Sequence, residues 1–597
     1  MQANTLPPAA CANWKDGDGV CPNEGKLACG SCKLVLVSRH SFTVKYWDTN
    51  RCHAKYCGRD CQVKHWSEHK KACKSPMRKE SWLPAWDRDR RDPAWAQGAA
   101  ATNIHNPFGM NRHLWGNTPA MDVLNLPRNE GSDYDKDISI LFAASGDLRN
   151  AAKTVQCLPE GFDHQVKITL NDRDPVVALR NVILLLLMLK SLEEASDEAS
   201  IDNLAETLIH VWYSAMITSD MLSQLESKVK PLVKEACFWT PFRESGDVLR
   251  KKWDFQSGAS LDVSIERDTW SQLLKFLEVP EHLTAAKARD VRIATMLAPE
   301  RQDYRDRWGF KDASPSMRVA RQRFREDGIL LPFGHPRLKF DIPNPTLFQA
   351  ADCWPMDDKA DPLDGWPIGK VRATPFRAGE DLYGKLFWHI RGVLSAFIRR
   401  VATGKIHFEV LNIDVADLDQ LVEKGSFDRI EASNISDVCW LGTRETLRCL
   451  IPLLKPPQRN LHATLITVYL NAIIETSKRD GLDNERHGVE LIKKYLNISE
   501  RNIVANPQGA EMYRIWDARS LTFNPEKFFR RYMVDQRFRQ AAEELGVVMK
   551  EHNTIGDAWP MSLKLRPGEP GAQEEFDGLL ASGATGVERF VEWKRVR

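Results

Sequence analysis

The hydrophobic positions from residue 137 onward form short apolar runs that alternate with segments of helical period. DISILFAASGDLRNAAKTV predicts a strand, a tight turn at Gly146 and a helix. VKITLND predicts a second strand that ends in Asp172, and a long helix follows it. Three more strands are predicted in KIHFEVLNIDVADL, FDRIEASNIS and ATLITVYL. This alternation predicts an α/β fold with a doubly wound, mostly parallel sheet covered on both faces, and such sheets bind ligands at the carboxyl ends of their strands.

The most continuous apolar run is VILLLLML at residues 182–189, which lies between Arg180 and Lys190. A helix that crosses a bilayer needs about 20 apolar residues, so this run is too short for one. We therefore expect it to form a buried helix of the α/β domain.

A long insertion separates the second predicted helix from the third predicted strand. Its first part, LAETLIHVWYSAMITSDMLSQL, has apolar residues at helical spacing and predicts packed helices. Later segments are charged and rich in proline, glycine and tryptophan, which predicts long loops laid over the domain. The basic positions between Arg318 and Arg325 predict a solvated helix face.

These patterns divide the chain into six parts. We expect a cysteine-rich unit at residues 11–73 and a linker at residues 74–114, whose Trp82, Trp86 and Trp95 anchor it to a neighbouring domain. The remaining parts are the first half of the α/β domain (115–195), a helical and loop insertion (196–380), the second half of the α/β domain (381–475) and a C-terminal mixed region (476–597).

Composition and charge narrow the possible functions. The chain has 597 residues and a formal net charge of +2, which gives no support for a protein that coats nucleic acid. The N-terminus does not have the pattern of a secretory leader. Eight of the 13 cysteines lie in the first 73 residues, a distribution that indicates metal binding in a reducing compartment. We expect the protein in the cytoplasm or the nucleus.

The cysteine spacing predicts a zinc-binding unit. Two close cysteine pairs are followed by a histidine and a cysteine four positions apart, and two single cysteines lie upstream. This gives eight sulfur and nitrogen ligands, enough for two tetrahedral structural zinc ions. The candidate ligands are Cys11, Cys21, Cys29, Cys32, Cys57, Cys61, His69 and Cys73.

The string YCGRDCQVKHWSEHKKAC resembles the second half of a MYND-type zinc finger. The resemblance implies a cross-brace in which one zinc is held by Cys11, Cys21, Cys57 and Cys61, and the other by Cys29, Cys32, His69 and Cys73. The chain departs from the family pattern at Cys11, and Cys52, His53 and His65 lie outside the implied ligand set. MYND fingers bind peptides, often proline-containing, so the resemblance implies protein partners and no direct nucleic-acid binding. The alternative is a structural finger that packs only on its own chain.

The interval at residues 37–55, VSRHSFTVKYWDTNRCHAK, separates the two halves of this finger. Without it, CGSCKLVLYCGRDCQ restores the short spacing of the family pattern. Val37 and Ser38 can be encoded by an intron donor sequence, and Thr49 and Asn50 by a common fungal branch site. We therefore hypothesise a retained intron. The alternative is a true loop insertion, which surface loops tolerate at a small entropic cost.

The predicted sheet resembles the Rossmann-like domain of class I methyltransferases. The turn at Gly146 and Asp147 stands where the glycine-rich cofactor loop of that family lies, although that family uses several glycines. The resemblance implies that Asp172 holds ribose hydroxyls and that Asp414 lies near the adenine of S-adenosylmethionine. The alternative is that Asp172 and Asp414 cap helices or solvate strand ends.

A second resemblance covers the start of the α/β domain. LWGNTPAMDVL and ILFAASGDLRNAAKTV are similar to the uncharacterised domain at the N-terminus of dynein axonemal assembly factor 3, which also follows MYND fingers in many fungal proteins. The resemblance implies a structural signature and a role in assembly. The signature residues are Trp115, Gly116, Asp122, Gly146, Asp147, Arg149 and Asn150, of which Asp147 and Arg149 either line a pocket or form a local ion pair.

These observations predict a zinc-binding protein-interaction or assembly factor whose methyltransferase-like domain lacks standard catalysis. We find no P-loop, no nucleophile with a nearby base and no catalytic metal motif in the sequence. The alternative is an S-adenosylmethionine-dependent methyltransferase that acts on a protein or a small molecule.

Overall fold

A mostly parallel β-sheet of nine strands lies at the centre of the part of the chain that the structure describes. The structure is a computed structural model, and it describes residues 12, 14–15, 19–20, 27–29, 31–34, 36–37, 59–96, 108–238, 240–480, 486–582 and 585–596. Two short antiparallel strand pairs precede the sheet: β1 (Trp14–Lys15) with β2 (Gly19–Val20), and β3 (Leu27–Ala28) with β4 (Leu36–Val37).

The other strands follow in chain order as β5 (Ile138–Phe142), β6 (Val166–Asn171), β7 (Met216–Ile217), β8 (Val248–Asp254), β9 (Ser260–Glu266), β10 (Ile342–Pro343), β11 (Ile406–Leu411), β12 (Arg429–Glu431), β13 (Thr464–Tyr469), β14 (Val547–Met549) and β15 (Arg589–Arg595). The strand order across the large sheet is β14-β15-β13-β12-β5-β6-β11-β9-β8, and β7 pairs separately with β10.

The five strands expected from the hydrophobic pattern are β5, β6, β11, β12 and β13, and each is parallel to its neighbours among the five. Counted along the chain, their spatial order is 3-2-1-4-5, so the order reverses between β5 and β12, as in doubly wound sheets. The mixed α/β architecture with a mostly parallel sheet is therefore confirmed, and it is consistent with a Rossmann-like fold. β15 is antiparallel to β13.

Apolar side chains of alternate strand positions pack on opposite faces of the sheet. In β5, Ile140 and Phe142 belong to one buried cluster, whereas Leu141 and the following Ala143 belong to another. Successive side chains of a strand point to opposite faces of the sheet, so these two clusters cover both faces. The first cluster includes the helices Arg149–Gln156, Pro175–Leu192, Glu198–Tyr213 and Leu382–Val401. The second includes the helices Thr443–Leu450, Pro525–Asp535 and Phe538–Leu545.

The helices are α1 (Arg59–Cys73), α2 (Ala85–Arg88), α3 (Arg149–Gln156), α4 (Pro175–Leu192), α5 (Glu198–Tyr213), α6 (Ser219–Gln224), α7 (Lys230–Cys237), α8 (Arg267–Leu273), α9 (Ala285–Met296), α10 (Gln302–Arg305), α11 (Pro315–Asp327), α12 (Ile368–Ala373), α13 (Leu382–Val401), α14 (Thr443–Leu450), α15 (Ala472–Asp480), α16 (Arg486–Tyr495), α17 (Glu500–Ala505), α18 (Ala510–Thr522), α19 (Pro525–Asp535), α20 (Phe538–Leu545) and α21 (Ala572–Ser582).

Helix α4 contains the long apolar run. Among the described helices it alone has the length and composition to cross a membrane, and 89% of it is buried inside the protein. It packs against α5 and β11. The expectation of a buried helix of the α/β domain is confirmed.

The insertion contributes strands as well as helices and loops, which corrects the expectation for residues 196–380. β8 and β9 form a hairpin, and β9 pairs in parallel with β11. β9 is buried almost throughout, while β8 at the sheet edge directs Arg250 and Lys252 outward. Charged side chains of this kind protect an exposed edge. The alternating polarity around the turn at Gly258 is the signal that could have predicted the hairpin.

Helix α11 buries three of its four arginines instead of presenting them to solvent, which corrects a second expectation. Arg318, Arg321 and Arg325 are 6%, 4% and 2% exposed. Their guanidinium groups donate to backbone carbonyls; that of Arg318, for example, donates to the carbonyl oxygens of Met77 and Ala313, each at 2.7 Å. The arginines satisfy buried backbone acceptors, which no local pattern in the sequence reveals.

The segment expected to be a linker packs on the body through its tryptophans. Trp86 and Trp95 are buried, and their rings meet edge to face with a centroid separation of 5.1 Å. The indole N–H of Trp86 donates to the carbonyl oxygen of Gln508 at 3.0 Å. Trp82 is half-buried and lies under the guanidinium group of Arg318. Aromatic anchors therefore hold this segment against the insertion and the C-terminal region.

Candidate metal centre and the carboxyl edge of the sheet

Four side chains near the N-terminus form a compact Cys/His cluster. The potential ligand atoms of Cys29, Cys32, His69 and Cys73 all lie within 4.8 Å of one another. All four residues are buried, and none is more than 5% exposed. These are four of the eight ligands expected from the sequence, and the structure brings together the set that the cross-brace assigns to one zinc.

A turn and a helix position the four side chains. Cys29 and Cys32 flank a turn in which the backbone N–H of Lys33 donates to the carbonyl oxygen of Cys29 at 2.8 Å. His69 and Cys73 are four residues apart in α1, so they share one face of the helix. The turn presents two thiols to that face, and His69 Nε2 lies 3.8 Å from Cys32 Sγ.

The donor set fits zinc. Three cysteines and one histidine are a common tetrahedral set for structural zinc. Interactions with Cys29 and Cys32 lower the pKa of the Cys73 thiol, and the interaction with Cys29 raises the pKa of Cys32. Burial lowers the pKa of His69, but interactions with Cys29 and Cys73 outweigh it and raise that pKa to about 9. These opposed shifts indicate crowded thiolates that a divalent cation would stabilise.

The other expected ligands cannot be placed beside this cluster. Cys11, Cys21 and Cys57 lie outside the described residues, as do Cys52, His53 and residues 38–55 of the interval. Cys61 lies in α1, but its side chain is not among those described. His65 is buried and lies near His69 with a ring-centroid separation of 5.9 Å, yet it is not part of the four-residue cluster. The second zinc therefore stays a prediction.

Hydrogen bonds attach the cluster to the body of the protein. The hydroxyl of Ser316, in the first turn of α11, donates to the carbonyl oxygen of Cys32 at 2.8 Å. The guanidinium group of Arg78 donates to the carbonyl oxygens of Cys73 and Ser31, each at 2.6 Å. Arg78 thereby joins the turn to the end of α1. Because α11 belongs to the insertion, the metal cluster and the insertion are packed as one unit.

At the carboxyl edge of the sheet, Gly146 and Asp172 hold each other in place. Gly146 has φ +54°, a left-handed conformation that suits glycine, and a Cβ there would meet open space. Its N–H donates to Asp172 Oδ2 at 3.0 Å, and the N–H of Asp174 donates to Asp172 Oδ1 at 2.9 Å. Burial raises the pKa of Asp172. Each carboxylate oxygen of Asp172 thus accepts a backbone hydrogen bond.

Asp147 belongs to an internal ion pair. Its Oδ1 lies 2.8 Å from Arg149 Nη1, and its Oδ2 accepts the N–H of Gly116 at 2.8 Å. A Cβ on Gly116 would overlap the guanidinium group of Arg149. Of the alternatives for Asp147 and Arg149, the local ion pair is therefore the one found. Asp414 caps the short helix after β11, because its Oδ1 accepts the N–H of Ala416 at 2.9 Å.

Three further signature residues also make structural contacts. Asp122 Oδ1 accepts the N–H of Leu124 at 3.0 Å, and Asn150 Oδ1 accepts the N–H of Met121 at 3.1 Å. The indole of Trp115 donates to the carbonyl oxygen of Trp212 at 3.0 Å. The signature thus attaches the chain before β5 to the helices that cover the sheet.

Glu431, the last residue of β12, is an ionisable group at this edge that the sequence analysis did not select. It is 3% exposed, and burial raises its pKa to about 7. Its Oε1 accepts the N–H of Ser433 at 2.7 Å. In the sequence, Glu431 is visible only as a glutamate at the end of an apolar strand. That position does not distinguish a buried acid from a solvated one.

One part of the chain matches the model of a known protein family. A family model described as a domain of unknown function (DUF4470) matches residues 114–217. This range contains the signature segment with β5, β6, α4 and α5. No curated protein and no solved structure matches the chain. The chain thus combines a mixed α/β fold, an N-terminal Cys/His cluster that could hold a zinc ion, and a segment that matches this family model.

Replacing one thiol of the cluster should remove one zinc ion. In Cys32→Ser the hydroxyl is a poor ligand for zinc, so the zinc content per chain should fall by one ion relative to the wild type. Elemental analysis of the purified full-length chain measures the difference. Cys157→Ser, which changes a half-buried cysteine outside the cluster, is the matched control and should keep the wild-type content. An equal zinc content in wild type and Cys32→Ser would contradict this assignment.

Glu431 should make the protein less stable as the pH rises from about 4.5 to about 7. In this window the folded carboxyl keeps its proton while the unfolded one releases it, so unfolding becomes progressively more favourable. Over the window the loss amounts to about 3 kcal/mol. Glu431→Gln should remove this contribution, so its Tm relative to wild type should rise with pH. A Tm difference that does not change across the window would contradict the buried, protonated acid.

Proposed function

We propose that this protein is a zinc-finger protein that acts through protein partners, as an interaction or assembly factor, in the cytoplasm or the nucleus. Its Cys/His cluster would be one half of a two-zinc MYND-type finger, and its α/β domain would have a methyltransferase-like fold without standard catalysis. The relationship to the domain of dynein axonemal assembly factor 3 belongs to the same proposal, and it supports an assembly role.

One observation carries the proposal: the acids available for a cofactor make internal hydrogen bonds instead. Asp147 pairs with Arg149, Asp172 accepts two backbone N–H groups, and Asp414 caps a helix. A ribose would have to compete with these bonds for the carboxylate oxygens. The turn at Gly146 also has a single glycine in place of the several that close approach to a cofactor favours.

The docked cluster supports a binding role for the finger. Ser316 and Arg78 fix the turn and α1 to the body, so residues 65–73 form a rigid surface element. Rigid elements lose little conformational entropy on binding. The proposed ligands are proline-containing segments of partner proteins, in keeping with the MYND resemblance.

Peptide binding should depend on the metal cluster. Fluorescence polarisation with a library of labelled proline-containing peptides should give saturable binding to the zinc-loaded full chain. Cys32→Ser should weaken it at least tenfold, because the surface of α1 loses its anchor, while Cys157→Ser should bind like the wild type. Absence of binding, or equal binding by Cys32→Ser, would reject a finger that recognises such peptides.

The alternative, an S-adenosylmethionine-dependent methyltransferase, predicts cofactor binding at the carboxyl edge. The strand order and the open space at Gly146 favour this alternative. Under the main proposal, calorimetric titration of the zinc-loaded chain with S-adenosylmethionine and S-adenosylhomocysteine should give no saturable heat. Saturable binding that Asp172→Ala abolishes would establish the alternative in its place.

A further inference from the structure

A cavity of 320 Å³ lies between the insertion and the carboxyl end of β13. Its wall includes α11, the segment at residues 359–368, and Leu470, which follows β13. Asn117, from the signature segment, also lines it. The polar and charged side chains of the wall include Trp308, Arg321, Arg325, Lys359, Asp361 and Asp364.

Arg325 is a buried cation without a carboxylate partner. It is 2% exposed, and its Nη1 donates only to the carbonyl oxygens of Met296, at 3.2 Å, and Asp358, at 2.7 Å. No carboxylate among the described residues forms an ion pair with it, and its Nε has no hydrogen-bond partner there. The Asp358 carboxylate pairs with Arg301 instead, at 2.8 Å. A buried cation without an ion-pair partner raises the free energy of the folded protein unless an anion neutralises it.

Two more polar groups beside the cavity lack partners within the described part of the chain. The indole N–H of Trp308 makes no hydrogen bond, and the guanidinium group of Arg325 lies 4.8 Å from its ring centroid. Lys359 lines the cavity, and its ammonium group forms no ion pair or hydrogen bond within the described part of the chain. Burial lowers the pKa of Lys359 to about 8, so the group stays largely protonated at neutral pH.

The acids of the cavity form no ion pair with Arg325 or Lys359. Asp361 accepts the hydroxyl of Tyr383 at 2.6 Å and lies 3.6 Å from Arg321 Nε. Asp364 also lines the cavity, is exposed to solvent, and forms no ion pair with Arg325 or Lys359. Glu588, also on the wall, accepts the hydroxyl of Thr585 at 2.6 Å. The wall thus carries three cationic and three acidic side chains, and Arg325 and Lys359 are the cations that form no ion pair with a carboxylate of the described residues.

We propose that this cavity binds a small oxyanion, the phosphate or carboxylate group of a metabolite, between Arg325 and Lys359. The volume is several times that of a water molecule, enough for such a group and a small organic remainder. The cavity adjoins the carboxyl end of a strand in a doubly wound sheet, where such folds bind ligands. The proposal does not depend on the finger or on S-adenosylmethionine.

The test is the thermal response of the zinc-loaded full chain to inorganic phosphate, pyrophosphate and citrate, each against sodium chloride at equal ionic strength. We expect a saturable rise in Tm with at least one of them, because a ligand that binds the folded state stabilises it. Lys359→Met should fold with an unchanged or higher Tm in the absence of ligand, since it removes a partly buried ammonium group that has no ion-pair partner among the described residues. Its apparent Kd for the anion should be at least tenfold weaker.

Two control variants make the result specific. Lys359→Arg retains the charge and should keep saturable binding. Lys550→Met removes a partly buried lysine that pairs with Glu592 at 2.9 Å outside the cavity, so it should lower the Tm and leave the anion response intact. A lack of saturable response to all three anions, or an undiminished response in Lys359→Met, would overturn the proposal. A preference for phosphate and pyrophosphate over citrate, or the reverse, would identify the source of the oxyanion.

Discussion

The ion pair between Asp147 and Arg149 joins three distant parts of the chain. Arg149 donates to the carbonyl oxygen and the hydroxyl of Thr118, and Asp147 accepts the N–H of Gly116. Gly365 from the insertion packs against the same group, where a Cβ would lie 3.4 Å from the side chain of Arg149. The segment before β5, the turn after β5 and the insertion therefore meet at one guanidinium group, and a side chain on Gly116 could not be accommodated there.

This arrangement changes what the carboxyl edge of the sheet can do. The turn that follows the first strand of a doubly wound sheet is normally available to a ligand. Here its acids hold the chain together, while the insertion brings Arg321, Arg325 and Lys359 to a separate cavity beside β13. Charged groups suited to a ligand thus lie at the carboxyl edge of the sheet, but the insertion supplies them instead of the turn after β5.

The insertion is also the structural partner of the metal cluster. Helix α11 contacts the cysteine turn through Ser316 at its start, and it lines the charged cavity through Arg321 and Arg325 further along. The tryptophan-containing segment after α1 is held on the same helix by Arg318. A single helix therefore supports the finger, the connecting segment and the cavity, which accounts for the burial of so many arginines in it.

The sequence by itself determined the features that depend on local patterns. The five parallel strands and the buried helix α4 follow from apolar periodicity, and the candidate zinc ligands follow from their spacing, both of which are properties of short segments. The grouping of Cys29, Cys32, His69 and Cys73 in one site was implied by the MYND resemblance. Asp172 and Asp414 were correctly located at strand ends, but whether they bind a ligand or the backbone depended on neighbours that the sequence does not identify.

Tertiary structure decided the rest. The β8–β9 hairpin becomes part of the sheet only because β11 offers it a free edge, and the arginines of α11 are buried only because backbone carbonyls from distant segments face them. The same is true of the cavity, whose wall combines residues 117, 325, 359 and 470. Burial and hydrogen bonding between segments far apart in the chain create these features, and no short stretch of sequence contains that information.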